Sequence, residues 1–159
     1  MILTIDIGNT NIVTGCFDQD QLLFLERFST EQEATSLEYA TIFKETLDLH
    51  EIPPSRIQGG IISSVVPSVT GTVKEAVEKY TGARILVVGP GIKTGLKLAV
   101  DDPAQQGSDL VVGAVAGVHL YPGPQILIDM GTATTVSVIN REKAYIGKMI
   151  LPGLSISLD

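Results

Sequence analysis

At 159 residues the chain has room for one ordinary domain, or for one domain and part of a second. With 44% hydrophobic and 18% charged residues it can build a core, which excludes wholesale disorder, while its longest apolar stretch, Leu110–Val118, falls far short of the roughly 20 residues of a membrane-spanning helix. The net charge of −7 argues against a nucleic-acid binder, and the single cysteine, Cys16, excludes an intramolecular disulfide framework or a cysteine-based zinc site.

Met1-Ile2-Leu3-Thr4-Ile5-Asp6 has no basic segment ahead of its apolar residues. It reads as a first strand, Ile2–Asp6, and not as a signal peptide, so a cytoplasmic, reducing compartment is expected. Strands are predicted over Asn11–Phe17 and Leu22–Phe28, joined by the turn Asp18-Gln19-Asp20-Gln21, and the three make an antiparallel meander. The period then changes. Leu37, Ala40, Thr41, Phe43, Lys44 and Leu47 predict a helix over Ser36–His50, stopped by Pro53-Pro54. A strand follows at Gly60–Val65, then a helix opened by Pro67-Ser68 and running to about Tyr80, with Val69, Val73 and Val77 in line, then a strand at Ile85–Val88. The segment from Gly89 to Asp102 reads as a loop. Gly107–Leu120 predicts a small-residue helix, capped by Ser108 and closed by Tyr121-Pro122-Gly123. Three further strands, Gln125–Asp129, Thr134–Asn140 and Lys143–Ile150, lead to a possible helix start at Pro152–Asp159.

A meander followed by alternating helices and strands indicates a layered α/β fold. A second meander starts near Ile126, so residues 1–115 are expected to form a first lobe and residues 116–159 the start of a second, incomplete one. The chain is accordingly expected to be a piece of a longer protein. By itself it should self-associate through uncovered apolar strand faces and should lack catalytic activity.

The strongest chemical signal is a repeated turn. Asp6-Ile7-Gly8-Asn9-Thr10 has an echo in Asp129-Met130-Gly131-Thr132-Ala133-Thr134-Thr135. Each follows an apolar strand and sets a carboxylate at the strand end, a glycine two residues on, then hydroxyl or amide side chains. Such a turn suits a polyphosphate. Glycine lets backbone N–H groups approach it without a Cβ in the way, Thr and Asn add donors, and the aspartate can hold a cation that offsets its repulsion of phosphate. The turns are not Walker or Rossmann loops, because strand rather than helix follows them. Either turn alone reads equally as an ordinary hairpin turn; the pair, at the starts of two similar meanders, reads as a nucleotide clamp.

These turns resemble the phosphate motifs of the acetate and sugar kinase, Hsp70 and actin superfamily, and within it the chain resembles type III pantothenate kinase. Five segments carry the resemblance in order. They are Asp6-Ile7-Gly8-Asn9-Thr10-Asn11, Gly91-Ile92-Lys93-Thr94-Gly95, Gly107-Ser108-Asp109, Ile128–Thr135, and Leu151-Pro152-Gly153-Leu154. The resemblance implies ribonuclease H-like lobes, the first complete and the second partial. It also implies transfer of the ATP γ-phosphoryl group to pantothenate in coenzyme A synthesis. Magnesium, a monovalent cation (potassium or ammonium) and a homodimer are implied as well, with no nucleic-acid or membrane partner.

Carried over residue by residue, Asp6, Ile7, Gly8, Asn9, Thr10, Asn11, Ile12 and Val13 would embrace the ATP phosphates, and Gly131 and Thr132 would touch ATP. Asp129 would hold the monovalent cation, with Asp6 as a second metal-facing carboxylate. Gly107, Ser108, Asp109 and Leu110 would line the acceptor, with Asp109 as the base facing its hydroxyl. The turn residues and Asp109 are expected to face one cleft. Without the resemblance, Ser108-Asp109 at a helix start would read as a cap. Three positions depart from the family pattern. Leu110 stands for the arginine of G-x-D-R, Val100 for an aromatic residue, and Lys148 for the second glycine of G-G-x-I. Leucine has no donor for a substrate carboxylate, so pantothenate binding is expected to be weak unless another basic residue substitutes, and Leu110→Arg should tighten it. A nucleotide-binding regulator without turnover, on the same scaffold, is the alternative.

Remaining residues read as structural. Cys16 is expected to be a buried thiol, and His50 and His119 helix-end residues without a metal partner. Glu75, Glu78 and Lys79 are expected on a solvated helix face. Gly113, Ala114, Ala116 and Gly117 are expected to form a close-packing spine between lobes or protomers.

Overall fold

The computed structural model describes residues 1–89 and 92–153. The chain divides into two compact units, Met1–Val88 and Gly89–Asp159.

In the first unit the meander forms as expected, with β1 at Ile2–Ile7, β2 at Asn11–Asp18 and β3 at Gln21–Ser29. β4 (Gly59–Ser64) runs parallel to β1, and β5 (Ile85–Val87) parallel to β4, giving the order β3-β2-β1-β4-β5. The crossovers are α1 (Ser36–Leu49) and α2 (Pro67–Thr81). α1 starts on a capping box, in which Thr35 Oγ1 accepts from Glu38 N and the Glu38 carboxylate accepts from Thr35 N. α2 starts on Pro67 and ends at Gly82, whose φ of +70° a side chain would strain. Strand and helix periodicities meet in one core. Leu3, Ile5 and Ile7 alternate inward from β1; Tyr39, Phe43 and Leu47 recur every fourth residue on α1; Val69, Val73 and Val77 do so on α2.

Thr14 lies inside this unit with 0% exposure, and its Oγ1 has no hydrogen-bond partner. A buried hydroxyl left unpaired costs about 1–3 kcal/mol. Thr14→Val, which keeps the branched shape, should therefore raise the melting temperature; a lower one would show that the hydroxyl is satisfied in solution. Cys16 is fully buried, as expected, and burial pushes its thiol above the usual range. Glu78 departs from the solvated role expected of it, since its Oε1 accepts from Ile85 N at 3.0 Å and ties α2 to β5. Glu75 Oε1 accepts from Ser36 Oγ at 3.3 Å. His50 caps the end of α1, stacks on Phe24 at 4.4 Å and sits 2.9 Å from Glu26 Oε1.

The second unit holds the second meander, β7 (Gln125–Met130), β8 (Ala133–Ile139) and β9 (Ala144–Pro152). A two-residue strand, β6 (Lys97–Leu98), lies in the segment expected to be loop and runs parallel to β9, giving the order β6-β9-β8-β7. Two residues carry no periodicity, so nothing local announces it. β9 continues through Pro152, where a helix start was expected; the rest of that expected helix, residues 154–159, lies outside the described residues, as do Pro90 and Gly91.

α3 (Ser108–Leu120) packs on β7 and β8, which is why the compact units divide well before residue 115. Its N-cap is Gly107, not Ser108, and no side chain caps it there. Ala114 is buried with Ile139 and Tyr145, and Leu98, Val100 and Leu127 pack around them. A Cβ on Gly117 would lie 2.6 Å from Gln125 Oε1 and 3.1 Å from Leu127, so glycine is what allows the helix to lie on the sheet. The expected spine thus works within this unit for Ala114 and Gly117, whereas Gly113 and Ala116 are exposed.

The other face of this sheet is apolar and open. Ile126, Ile128, Met130 and Met149 are 57–68% exposed, and the register sets them beside Val136, Val138 and Leu151. The 159-residue chain expressed alone should therefore self-associate, and Ile128→Lys should reduce this. A monodisperse monomer in sedimentation runs at high concentration would contradict that expectation. Among the described residues no helix is long and apolar enough to cross a membrane.

Candidate active site

Each Asp-x-Gly turn closes the first hairpin of its unit. In the first, Ile7 pairs with Ile12, and Gly8 N donates to Asn11 O at 2.9 Å. In the second, Met130 pairs with Thr134, and Gly131 N donates to Ala133 O at 3.0 Å, so this turn is one residue tighter. Both glycines thus use their own N–H groups to close the turn. Donors to an anion must come from the residues after them. Neither glycine has a positive φ, so what it contributes is the missing Cβ. Asp6, Asn9 and Thr10 are exposed, Ile7 and Ile12 buried, and Gly8, Asn11 and Val13 half-buried. Asp129, Gly131 and Thr132 are exposed at the end of β7.

Two further residues hold the turns: Thr30, which the sequence does not single out, and Gly153, which it shows only within the segment Leu151-Pro152-Gly153-Leu154. Thr30, just after β3, donates its N–H to Thr10 O at 3.0 Å and its hydroxyl to Gly8 O at 2.7 Å, which clamps the first turn. Gly153, just after β9, is buried against the second turn: a Cβ there would overlap Thr132 O and lie 2.7 Å from Gly131 O. Thr30 could be found only through the β2–β3 register; the sequence marks Gly153 as part of a family segment, and the packing of β9 on its neighbour shows what it does there.

Asp109 lies in the first turn of α3. Its Oδ1 is buried and has no hydrogen-bond partner, and neither has Gln106 Oε1. An unpaired buried acceptor is costly and calls for a donor from elsewhere. The amide nitrogens of the neighbouring glutamines are engaged, Gln105 Nε2 with Asp102 Oδ2 at 2.9 Å and Gln106 Nε2 with Asp102 O at 3.0 Å. Gly107 and Ser108 are half-buried, and Leu110 is only 9% exposed. Leu110 is therefore a packed residue of its own unit, and Val100 is packed in the core beneath α3. Asp6 to Val13 belong to the first unit, and Asp109, Leu110, Asp129, Gly131 and Thr132 to the second.

Among the described residues no three or more His, Cys, Asp or Glu side chains cluster as a metal site.

The fold is that of sugar kinases and their relatives. A hexokinase of the ROK type from Thermus thermophilus superposes with a TM-score of 0.54 at 14% identity, covering 91% of this chain and 48% of that one. The activator of 2-hydroxyisocaproyl-CoA dehydratase from Clostridium difficile, solved with ADPNP, superposes with a TM-score of 0.56 at 11% identity, covering 95% and 45%. In sequence, the chain is 43% identical over all 159 residues to the type III pantothenate kinase of an Exiguobacterium species, and it spans 63% of that relative's length. The family model for type III pantothenate kinase matches residues 2–159. On that match, which runs through both turns and Asp109, the chain belongs to the type III pantothenate kinase family.

Proposed function

We propose that the protein transfers the γ-phosphoryl group of ATP to the primary hydroxyl of pantothenate, the entry step of coenzyme A synthesis, in the cytoplasm and as a homodimer. The observation that carries this reading is Asp109 Oδ1, a buried carboxylate oxygen without a donor in a chain of this family. A substrate hydroxyl is the donor it lacks. Phosphoryl transfer demands mainly positioning and charge neutralisation, and a carboxylate that orients the hydroxyl and accepts its proton completes the set.

In this reading the turn from Asp6 to Val13 embraces the ATP phosphates, and Gly131 and Thr132 touch the same nucleotide. Asp6 would hold magnesium, which would supply charge neutralisation at the phosphates, and Asp129 would hold potassium or ammonium. Gly107, Ser108 and Asp109 line the acceptor. Leu110 and Val100 support a second reading, a nucleotide-binding regulator, because both pack inward and neither offers the acceptor a polar group.

An ADP-release assay on the full-length protein, with and without pantothenate, separates the two. ADP release that depends on pantothenate supports the kinase. ATP binding without ADP release, whatever the acceptor, would leave the regulator.

A further inference from the structure

Resting on the kinase reading, we propose that Lys148 determines acceptor specificity by binding the acceptor's carboxylate. The substrate class it selects is a hydroxy acid. Three observations converge on it. First, the start of α3 offers acceptors, Asp109 Oδ1 and Gln106 Oε1, both buried and unpartnered. They suit the hydroxyl and amide donors of a ligand, but not its negative charge. Second, that charge would meet Asp101, Asp102 and Asp109 within nine residues of chain, so it needs a cation. The residue after Asp109 cannot supply one, because it is the packed Leu110.

Third, the fold brings a cation there. Lys148 pairs with Ser137 across β8 and β9, and paired residues share a face. Ser137 is 3% exposed and its Oγ lies 3.2 Å from Tyr145 OH, beneath α3, so Lys148 stands on the face that α3 covers. From there its Nζ donates to Gln105 O at 3.4 Å, while its side chain remains exposed. That single long bond leaves the ammonium two further N–H donors. Gln105 and Asp109 are four residues apart, at most about 14 Å even if fully extended. Hydroxyl and carboxylate at opposite ends of one small molecule can therefore reach Asp109 and Lys148 together.

The test compares pantothenate with pantothenyl alcohol, in which a neutral CH2OH replaces the carboxylate. Steady-state ADP release is measured for the full-length parent protein and for Lys148→Gln and Lys148→Arg made in it. Glutamine keeps a donor for Gln105 O but removes the charge; arginine keeps the charge. The preference for pantothenate over the alcohol, read as the ratio of kcat/KM values, should fall about tenfold in Lys148→Gln, mainly through the KM for pantothenate, and return in Lys148→Arg. An unchanged ratio in Lys148→Gln, or an equal loss toward both acceptors, would overturn the inference and leave Lys148 a tether for the segment before α3. Absence of ADP release from the full-length parent protein with either acceptor would instead overturn the kinase reading, and this inference with it.

Discussion

With Asp109 as the proposed base, Asp109→Asn in the full-length protein should lower kcat by about 10² or more, with a much smaller effect on the stability of the fold. The substitution keeps the shape of the side chain and removes its ability to take a proton. Position matters to the size of the effect. Asp109 sits in the first turn of α3, where a carboxylate gains about 0.3–1 kcal/mol from the helix dipole. If that were its whole role, asparagine would lower the melting temperature slightly and leave turnover nearly intact. The structure weighs against a capping role, because Gly107 is the N-cap and Oδ1 of Asp109 accepts no helix N–H. An oxygen that is buried yet unpaired is poised for a ligand's hydroxyl. Measuring kcat and melting temperature on the same preparation separates the outcomes. A large fall in kcat at constant stability assigns the base; a small fall in both returns Asp109 to the helix terminus.

Much of the first unit is legible in the sequence because its elements have clean periods. Leu3, Ile5 and Ile7 alternate, and Phe43 with Leu47 and Val73 with Val77 repeat at helical spacing, so β1, α1 and α2 can be read directly. β6 cannot be read this way, because Lys97-Leu98 becomes strand only by pairing with Ala144 and Tyr145, far away in the chain. The end of β9 misleads for a related reason. Pro152 suggests a new element, but as the strand's last residue it pairs with Ala133. The Ser108 cap fails by one residue, since serine and aspartate favour both the cap and the first turn and only the backbone angles at Gly107 decide.

The site residues divide along the same line. Asp6, Gly8, Asp129 and Gly131 announce themselves because the pattern repeats within one chain. Thr30 does not, and the roles of Gly153 and Lys148, which the sequence marks only as part of a segment and as a departure from it, follow from the tertiary register. Lys148 is instructive. As a sequence position it is only a lysine where a glycine was expected; placed opposite Ser137, it becomes an ammonium on the face that carries α3.

Gly153→Ala should disable the second turn. The chain leaving β9 lies directly on Gly131 and Thr132, and the added methyl would have to occupy space held by two backbone carbonyl oxygens, at 2.7 Å for Gly131 and overlapping for Thr132. A flexible side chain could swing aside at little cost, but backbone in a tight turn cannot. Gly131 is pinned by its own bond to Ala133 O, and Thr134 on its far side is paired with Leu151. Overpacking of this kind costs about 1–3 kcal/mol or more. The strain falls on Thr132, the residue proposed to touch ATP, so the KM for ATP should rise at least about tenfold if even half of the upper figure appears in binding. Gly71→Ala on α2 is the matched control, since a methyl there meets nothing within 4 Å. Full ATP affinity and unchanged thermal stability in Gly153→Ala would show that the turn can shift to make room, and that its geometry in the free protein is not what holds the nucleotide.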